Sequence, residues 1–290
     1  MRRIIRYDLV GFLQASRIPN LFIIGSTQYL TLAFLTYSFP EKRAIILSID
    51  FLIMTISTVF IAAGGYIIND YYDQKIDLIN RPNKVVVGTK MRRRLAMLAH
   101  FVLTTTGILL GFYLDVKIGA IHLFSSFCLW YYSNFLRRLP LIGNLVISFL
   151  TSLTMLIVAV YIERNEILIF IYAAFGFSIV LIREVIKDIE DFKGDAAYGV
   201  QSIPVLWGIR SAKGFIYLVI IASISFLVTF IIRLDNWLVT YYFVGLFPLF
   251  MWFVYKLYHA DRKTHFSLLR NFVNLIIFTG LISMILIKRW

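Results

Sequence analysis

Residues 51–68 read FLIMTISTVFIAAGGYII, eighteen residues without a charge, and residues 69–77 follow at once with NDYYDQKID. An uncharged apolar run of this length is a candidate membrane-spanning helix. Its neighbour is the opposite, with Asp70, Asp73 and Asp77 packed into eight residues. A second run, DIEDFKGD at 188–195, follows another long apolar stretch and repeats the spacing with Asp188, Asp191 and Asp195.

Outward from these two junctions, apolar segments of about 20 residues recur along the 290-residue chain, which is 60% hydrophobic and has a mean hydropathy of +0.79. Soluble domains hold close to half apolar residues. Spans are expected near 9–37, 44–68, 95–114, 117–136, 141–161, 167–186, 213–233, 237–258 and 268–287, joined by short connections. The fold class is therefore all-α: one polytopic membrane domain over residues 1–290, because lipid forces backbone groups to pair inside helices and no barrel-like alternation is present. The opening MRRIIRYDLVGFLQASRIPN is not a convincing cleavable signal, since Arg17 and Pro19 interrupt its apolar part.

A net charge of +13 raises the question of nucleic acid. Counted by alternate loops with the N-terminus in the cytoplasm, 21 of the 29 Lys and Arg fall on the cytoplasmic side, seven fall opposite, and Arg17 lies inside the first span. That asymmetry is the positive-inside pattern, so the basic excess reads as topology and lipid contact rather than nucleic-acid binding. It also places both acidic runs on the cytoplasmic side. Cys128 has no partner for an internal disulfide, and His100, His122, His259 and His265 lack the spacing of zinc ligands. No protein partner is evident.

Positions i, i+3 and i+7 lie within one stripe of a helix. If the helices continue past the apolar spans, each acidic run is a carboxylate ridge. Gly194 interrupts the second and sets Asp195 at a turn. Three carboxylates on one stripe repel unless a cation sits among them. Oxygen ligands suit magnesium, which is held by one or two carboxylates plus substrate phosphates. Two facing ridges then hold metal ions with a diphosphate between them. Lys75, Arg81 and Lys84 beside the first ridge, and Arg183, Lys187 and Lys193 around the second, are placed to cap remaining phosphate oxygens. An ordinary solvated loop explains one such cluster more simply, but not two in the same phase. A transporter would place its coupling carboxylates near the bilayer midplane, where this chain has almost none.

The motif N-D-x-x-D-x-x-x-D at Asn69–Asp77 with Asn80-Arg81-Pro82, and R-E-x-x-K-D-x-x-D-x-x-G-D at Arg183–Asp195, resemble the two signatures of the UbiA superfamily of intramembrane prenyltransferases. YYSNFLRRLPLIGNL (131–145) and RIPN (17–20) also match family-typical stretches. The resemblance covers essentially the whole chain. It implies nine transmembrane helices around a central cavity, cytoplasmic cap loops after the second and sixth, Mg2+ held by the six aspartates, and transfer of a prenyl group from a prenyl diphosphate to a lipophilic acceptor in a bacterial or archaeal cytoplasmic membrane. Lys187 stands where Asn69 stands in the first signature, so the half-sites are not equivalent.

On that reading Tyr66, Phe60, Tyr131 and Tyr132 line the cavity and stabilise cationic character. Asn20 and Asn144 are amides inside the bilayer, which face the bundle interior. Arg17 snorkels or joins Asn20 in the polar lining. Gly64-Gly65 admits either a substrate chain or a close helix neighbour. The form K-D-I-E-D-x-x-G-D is most similar to the family members that act on the hydroxyl of geranylgeranylglyceryl phosphate. An aromatic acceptor, 4-hydroxybenzoate or dihydroxynaphthoate, is the alternative.

Overall fold

The computed structural model describes residues 2–36, 41–164, 166–231 and 237–287. Among them the regular structure is helical: α1 (Arg2–Ala15), α2 (Ile18–Phe34), α3 (Lys42–Ile46), α4 (Ile49–Asn80), α5 (Arg93–Leu114), α6 (Val116–Asn134), α7 (Ile142–Tyr161), α8 (Ile167–Ala197), α9 (Ile203–Ile231), α10 (Trp237–Tyr258) and α11 (Lys263–Ser283), with a few short 3-10 turns. Six of these regions, led by α4, α5, α7, α8, α9 and α11, are long and apolar enough to cross a membrane.

The local causes are legible. Ser48 caps α4 by accepting a hydrogen bond from the Phe51 amide at 3.1 Å, and Asp115 caps α6 through the Lys117 amide at 2.6 Å. Pro82 stops α4, because the residue before a proline is pushed out of helical geometry; Arg81 there has φ −148°. At 32 residues α4 is about 48 Å long. The hydrocarbon layer is about 30 Å thick. The helix therefore outruns its apolar stretch, and the excess carries the acidic residues. The 31 residues of α8 do the same.

The first expected span, 9–37, is two helices. Its break is at Arg17, whose φ of 53° is left-handed and costs a non-glycine residue about 1–3 kcal/mol. Pro19 sits in the first turn of α2, where its missing N–H is harmless. Residues 37–40 lie outside the described residues. Gly208 (φ 83°) likewise breaks α9 internally, leaving Ile203–Trp207 as a separate short segment.

Contacts divide the chain into two compact units, residues 1–32, 39–137 and 154–165 in one and 33–38, 138–153 and 166–290 in the other. In the first, α4 is the axis, packed by α1, α5 and α6. Cβ atoms built on Gly64 and Gly65 would lie 2.6 Å from Thr104 and 2.7 Å from Leu129. The glycine pair therefore serves close packing of α4 on α5 and α6. In the second unit α8 is the axis, packed by α9 and α11, with α10 against both. Its core runs through Ile182, Val185, Ile189, Ile216, Phe253, Leu269 and Val273.

Candidate active site

Helical geometry persists through both acidic runs. Asp70, Asp73 and Asp77 project from α4, and Asp188, Asp191 and Asp195 from α8. Asp195 is not at a turn: Gly194 is buried and helical, and α8 continues to Ala197. Each ridge spreads its carboxylates over about 10 Å.

The first ridge is held by guanidinium groups from remote positions. Asp70 accepts a hydrogen bond from Arg17 at 2.7 Å, and the same guanidinium lies 5.0 Å from the centre of the Tyr66 ring. Asp73 is 4% exposed and forms a tight ion pair with Arg137, itself nearly buried. A carboxylate at that depth needs a compensating charge. Removing one partner of such a pair costs roughly 3–5 kcal/mol. Asp77 is half-buried, as is Asn69, whose Nδ2 is enclosed without a hydrogen-bond partner. Lys75 and Lys84 are exposed, and Arg81 is half-buried.

The second ridge is arranged differently. Asn144 donates to Asp188 at 2.7 Å, which satisfies an amide that the bilayer would otherwise penalise. Asp191 and Asp195 are each 3% exposed. Arg183 and Lys187 turn toward Glu184, at 2.6 and 3.5 Å, and Arg270 of α11 holds Glu190 at 2.7 Å. Two of the three cations expected around a phosphate at this ridge are therefore engaged by a glutamate of their own helix. Lys193 is exposed.

Of the remaining expected residues, Asn20 is exposed, in the first turn of α2. Tyr131 stacks between Phe127 and Phe135, at 5.8 and 5.6 Å between ring centres, while Tyr132 is buried. Sequence reasoning passed over Arg137, Glu184, Glu190 and Arg270. Arg137 had been counted only as a topogenic charge, and its place in the family-like stretch 131–145 was the available signal. Glu190 stands within the acidic run but about 100° around the helix from Asp191, so it belongs to another face.

Among the described residues no three acidic, His or Cys side chains gather tightly enough to cage a metal alone. The donor set still fits a hard cation. Each ridge is all oxygen, and a stripe offers one or two carboxylates at a time, the number magnesium takes when phosphate completes its shell.

Comparison with known proteins gives the family. Residues 29–276 match the UbiA prenyltransferase family. The digeranylgeranylglyceryl phosphate synthase of Methanothermobacter thermautotrophicus is 37% identical over 165 residues, 56% of this chain; the match spans just over half of that relative's length, 58%. Two solved structures share the fold. One, of a digeranylgeranylglyceryl phosphate synthase in membranes, has TM-score 0.74 at 22% identity and covers 97% of this chain and 99% of its own. The other, a UbiA homologue from Archaeoglobus fulgidus bound to DMAPP and Mg2+, has TM-score 0.66 at 12% identity and covers 94% and 99%. With two helical carboxylate ridges and a family match over most of its length, this chain belongs to the UbiA prenyltransferase family.

Proposed function

We propose that the protein is a magnesium-dependent prenyltransferase that moves a prenyl group, geranylgeranyl in the first instance, from its diphosphate to the hydroxyl of geranylgeranylglyceryl phosphate. The observation that carries this reading is the pair of carboxylate ridges, identical in phase, each on the extension of a membrane-length helix. A diphosphate head with an apolar tail suits a polar helix end above an apolar span. The domain is read as nine helices around a central cavity, with the ridges toward the cytoplasm. The structure with DMAPP and Mg2+ in a family member supports the donor class. The similarity to a digeranylgeranylglyceryl phosphate synthase supports the acceptor.

Asp70, Asp73, Asp77, Asp188, Asp191 and Asp195 are the residues that would hold magnesium. When bound, the ion neutralises charge on the departing pyrophosphate. The chain's own groups do the rest. In the resting protein Arg17 and Arg137 occupy Asp70 and Asp73. Once those carboxylates turn to the substrate complex, the two guanidiniums are released to donate to phosphate oxygens, a role that their planar fork suits. The allylic C–O bond breaks with its electron pair leaving on pyrophosphate. The acceptor oxygen then bonds to the prenyl carbon, and its proton passes to a phosphate or pyrophosphate oxygen. Exclusion of water by the apolar surroundings keeps the allylic cation from being quenched.

The test is product analysis with purified protein, Mg2+ and geranylgeranyl diphosphate, offering geranylgeranylglyceryl phosphate, 4-hydroxybenzoate and dihydroxynaphthoate together. The expected product is the diether phosphate with stoichiometric pyrophosphate. A dominant aromatic product would assign the enzyme to quinone-precursor prenylation, and absence of any pyrophosphate release would remove the prenyltransferase reading.

A further inference from the structure

The helix α1 precedes the site and contributes none of its ridge carboxylates, yet one of its faces is fastened in detail. Asp8, 7% exposed, accepts a hydrogen bond from the Arg92 amide at 3.1 Å and pairs with the Arg92 guanidinium at 2.6 Å. Arg92 is the N-cap of α5 and receives no cap from its own side chain. A carboxylate there satisfies an orphan donor and faces the positive end of the helix. One turn further, a Cβ on Gly11 would fall 2.3 Å from the Lys90 carbonyl oxygen, so α1 lies directly on the connection after α4. Gln14 accepts from Lys90 at 3.0 Å, and Ala15 is buried with Ile67, Val87, Met91 and Ala96. The connection after α4 is, at 85–91, a docked seat: Val85, Val87 and Met91 are buried.

The fastened helix ends two residues before Arg17. Ser16 N still bonds to Phe12 O at 2.9 Å, Arg17 then adopts φ 53°, and Asn20 N bonds back to Arg17 O at 2.8 Å. The left-handed residue is thus clamped between a docked helix and the first turn of α2. Its guanidinium is aimed at Asp70 by that backbone. Any rotation of α1 on its seat moves Arg17.

We propose that Asp8 is a positioning residue: by tying α1 to the N-terminus of α5, it holds Arg17 in the strained conformation that presents its guanidinium to Asp70 and to the substrate diphosphate. The inference rests on the prenyltransferase reading, but its structural half stands without it. The alternative is that α1 is only an interfacial anchor.

The experiment is a double-mutant cycle in the full-length protein reconstituted in lipid, with Asp8→Ala, Arg17→Ala and the double variant, assayed for kcat and KM of the prenyl diphosphate. Asp8→Ala is expected to lower kcat/KM about tenfold, as for residues that orient a ligand-holding group. In the Arg17→Ala background it should change kcat/KM by less than about twofold, since the two then share one effect. Multiplying effects would overturn the proposal. If Asp8→Ala fails to insert, Asp8→Asn replaces it in the same cycle; it keeps the acceptor for the Arg92 amide and loses the ion pair. Hydrogen exchange supplies a readout independent of turnover. Residues 16–21 and 85–92 should lose protection together in the Asp8 variant, and loss confined to 85–92 would overturn the coupling. A wild-type protein that transfers no prenyl group would defeat the proposed function, and the exchange result alone would then decide the fastening.

Discussion

Asp70 and Asp73 of α4 meet cations brought from far along the chain, whereas Asp188 of α8 meets an amide while Arg183 and Lys187 reach Glu184. Arg17 and Arg137 lie 53 residues before Asp70 and 64 after Asp73. On α8, Asn144 serves Asp188, and Glu184 gathers Arg183 and Lys187. Two ridges of one phase are therefore chemically unequal. On the first, Asp70 and Asp73 already carry guanidinium partners, which on the proposed reading they exchange when substrate binds. The second keeps its positive charges parked one turn away, on a glutamate that can return them to a phosphate. The lesson is that repeat spacing predicts where carboxylates stand but not what compensates them.

The sharpest way to break this comparison is to remove one carboxylate from each ridge. Asp73→Ala and Asp191→Ala should each lower magnesium-dependent pyrophosphate release by about 10³-fold or more, on the scale of losing an electrostatic contact made to developing charge. Retention of wild-type turnover by either variant, in steady-state assays of folded protein, would mean that its ridge is not part of the site. Next in size, Arg137→Ala should cost about 10²-fold in kcat/KM, with Arg137→Lys intermediate, because a point charge replaces a bidentate fork. An equal loss in Arg183→Ala would erase the asymmetry between paired and parked cations. Asn144→Leu should raise the magnesium concentration for half-maximal activity about 10-fold, as for other groups that orient a ligand from behind, and a metal titration reads this directly. The smallest effect tests packing alone. Gly65→Val, pressed against Leu129, should cost about 1–3 kcal/mol, seen as a lower thermal midpoint in detergent.

Much of this was legible in the residues. The expected spans 141–161 and 237–258 coincide with α7 and α10 to within a residue, because uninterrupted apolar runs leave a helix few alternatives. The ridges were readable because α4 and α8 keep one helical phase past their apolar stretches. What escaped reading depends on the third dimension. The break at Arg17 had a cue in Pro19, but the run of apolar residues on both sides looked continuous. Arg137 gives no local sign of its partner, since an ion pair across 64 positions is set by how α6 packs on α4. Asn144 was expected to face the interior, yet its particular acceptor, Asp188, was not readable from a separation of 44 residues.

Because Arg137 already sits on Asp73, the polar end of α4 carries a counterion of its own. On the proposed reading, that pairing offsets the charge of Asp73 whether or not a divalent ion is bound. Scarcity of the ion would then slow turnover while the pairs that hold Asp70 and Asp73 stay in place.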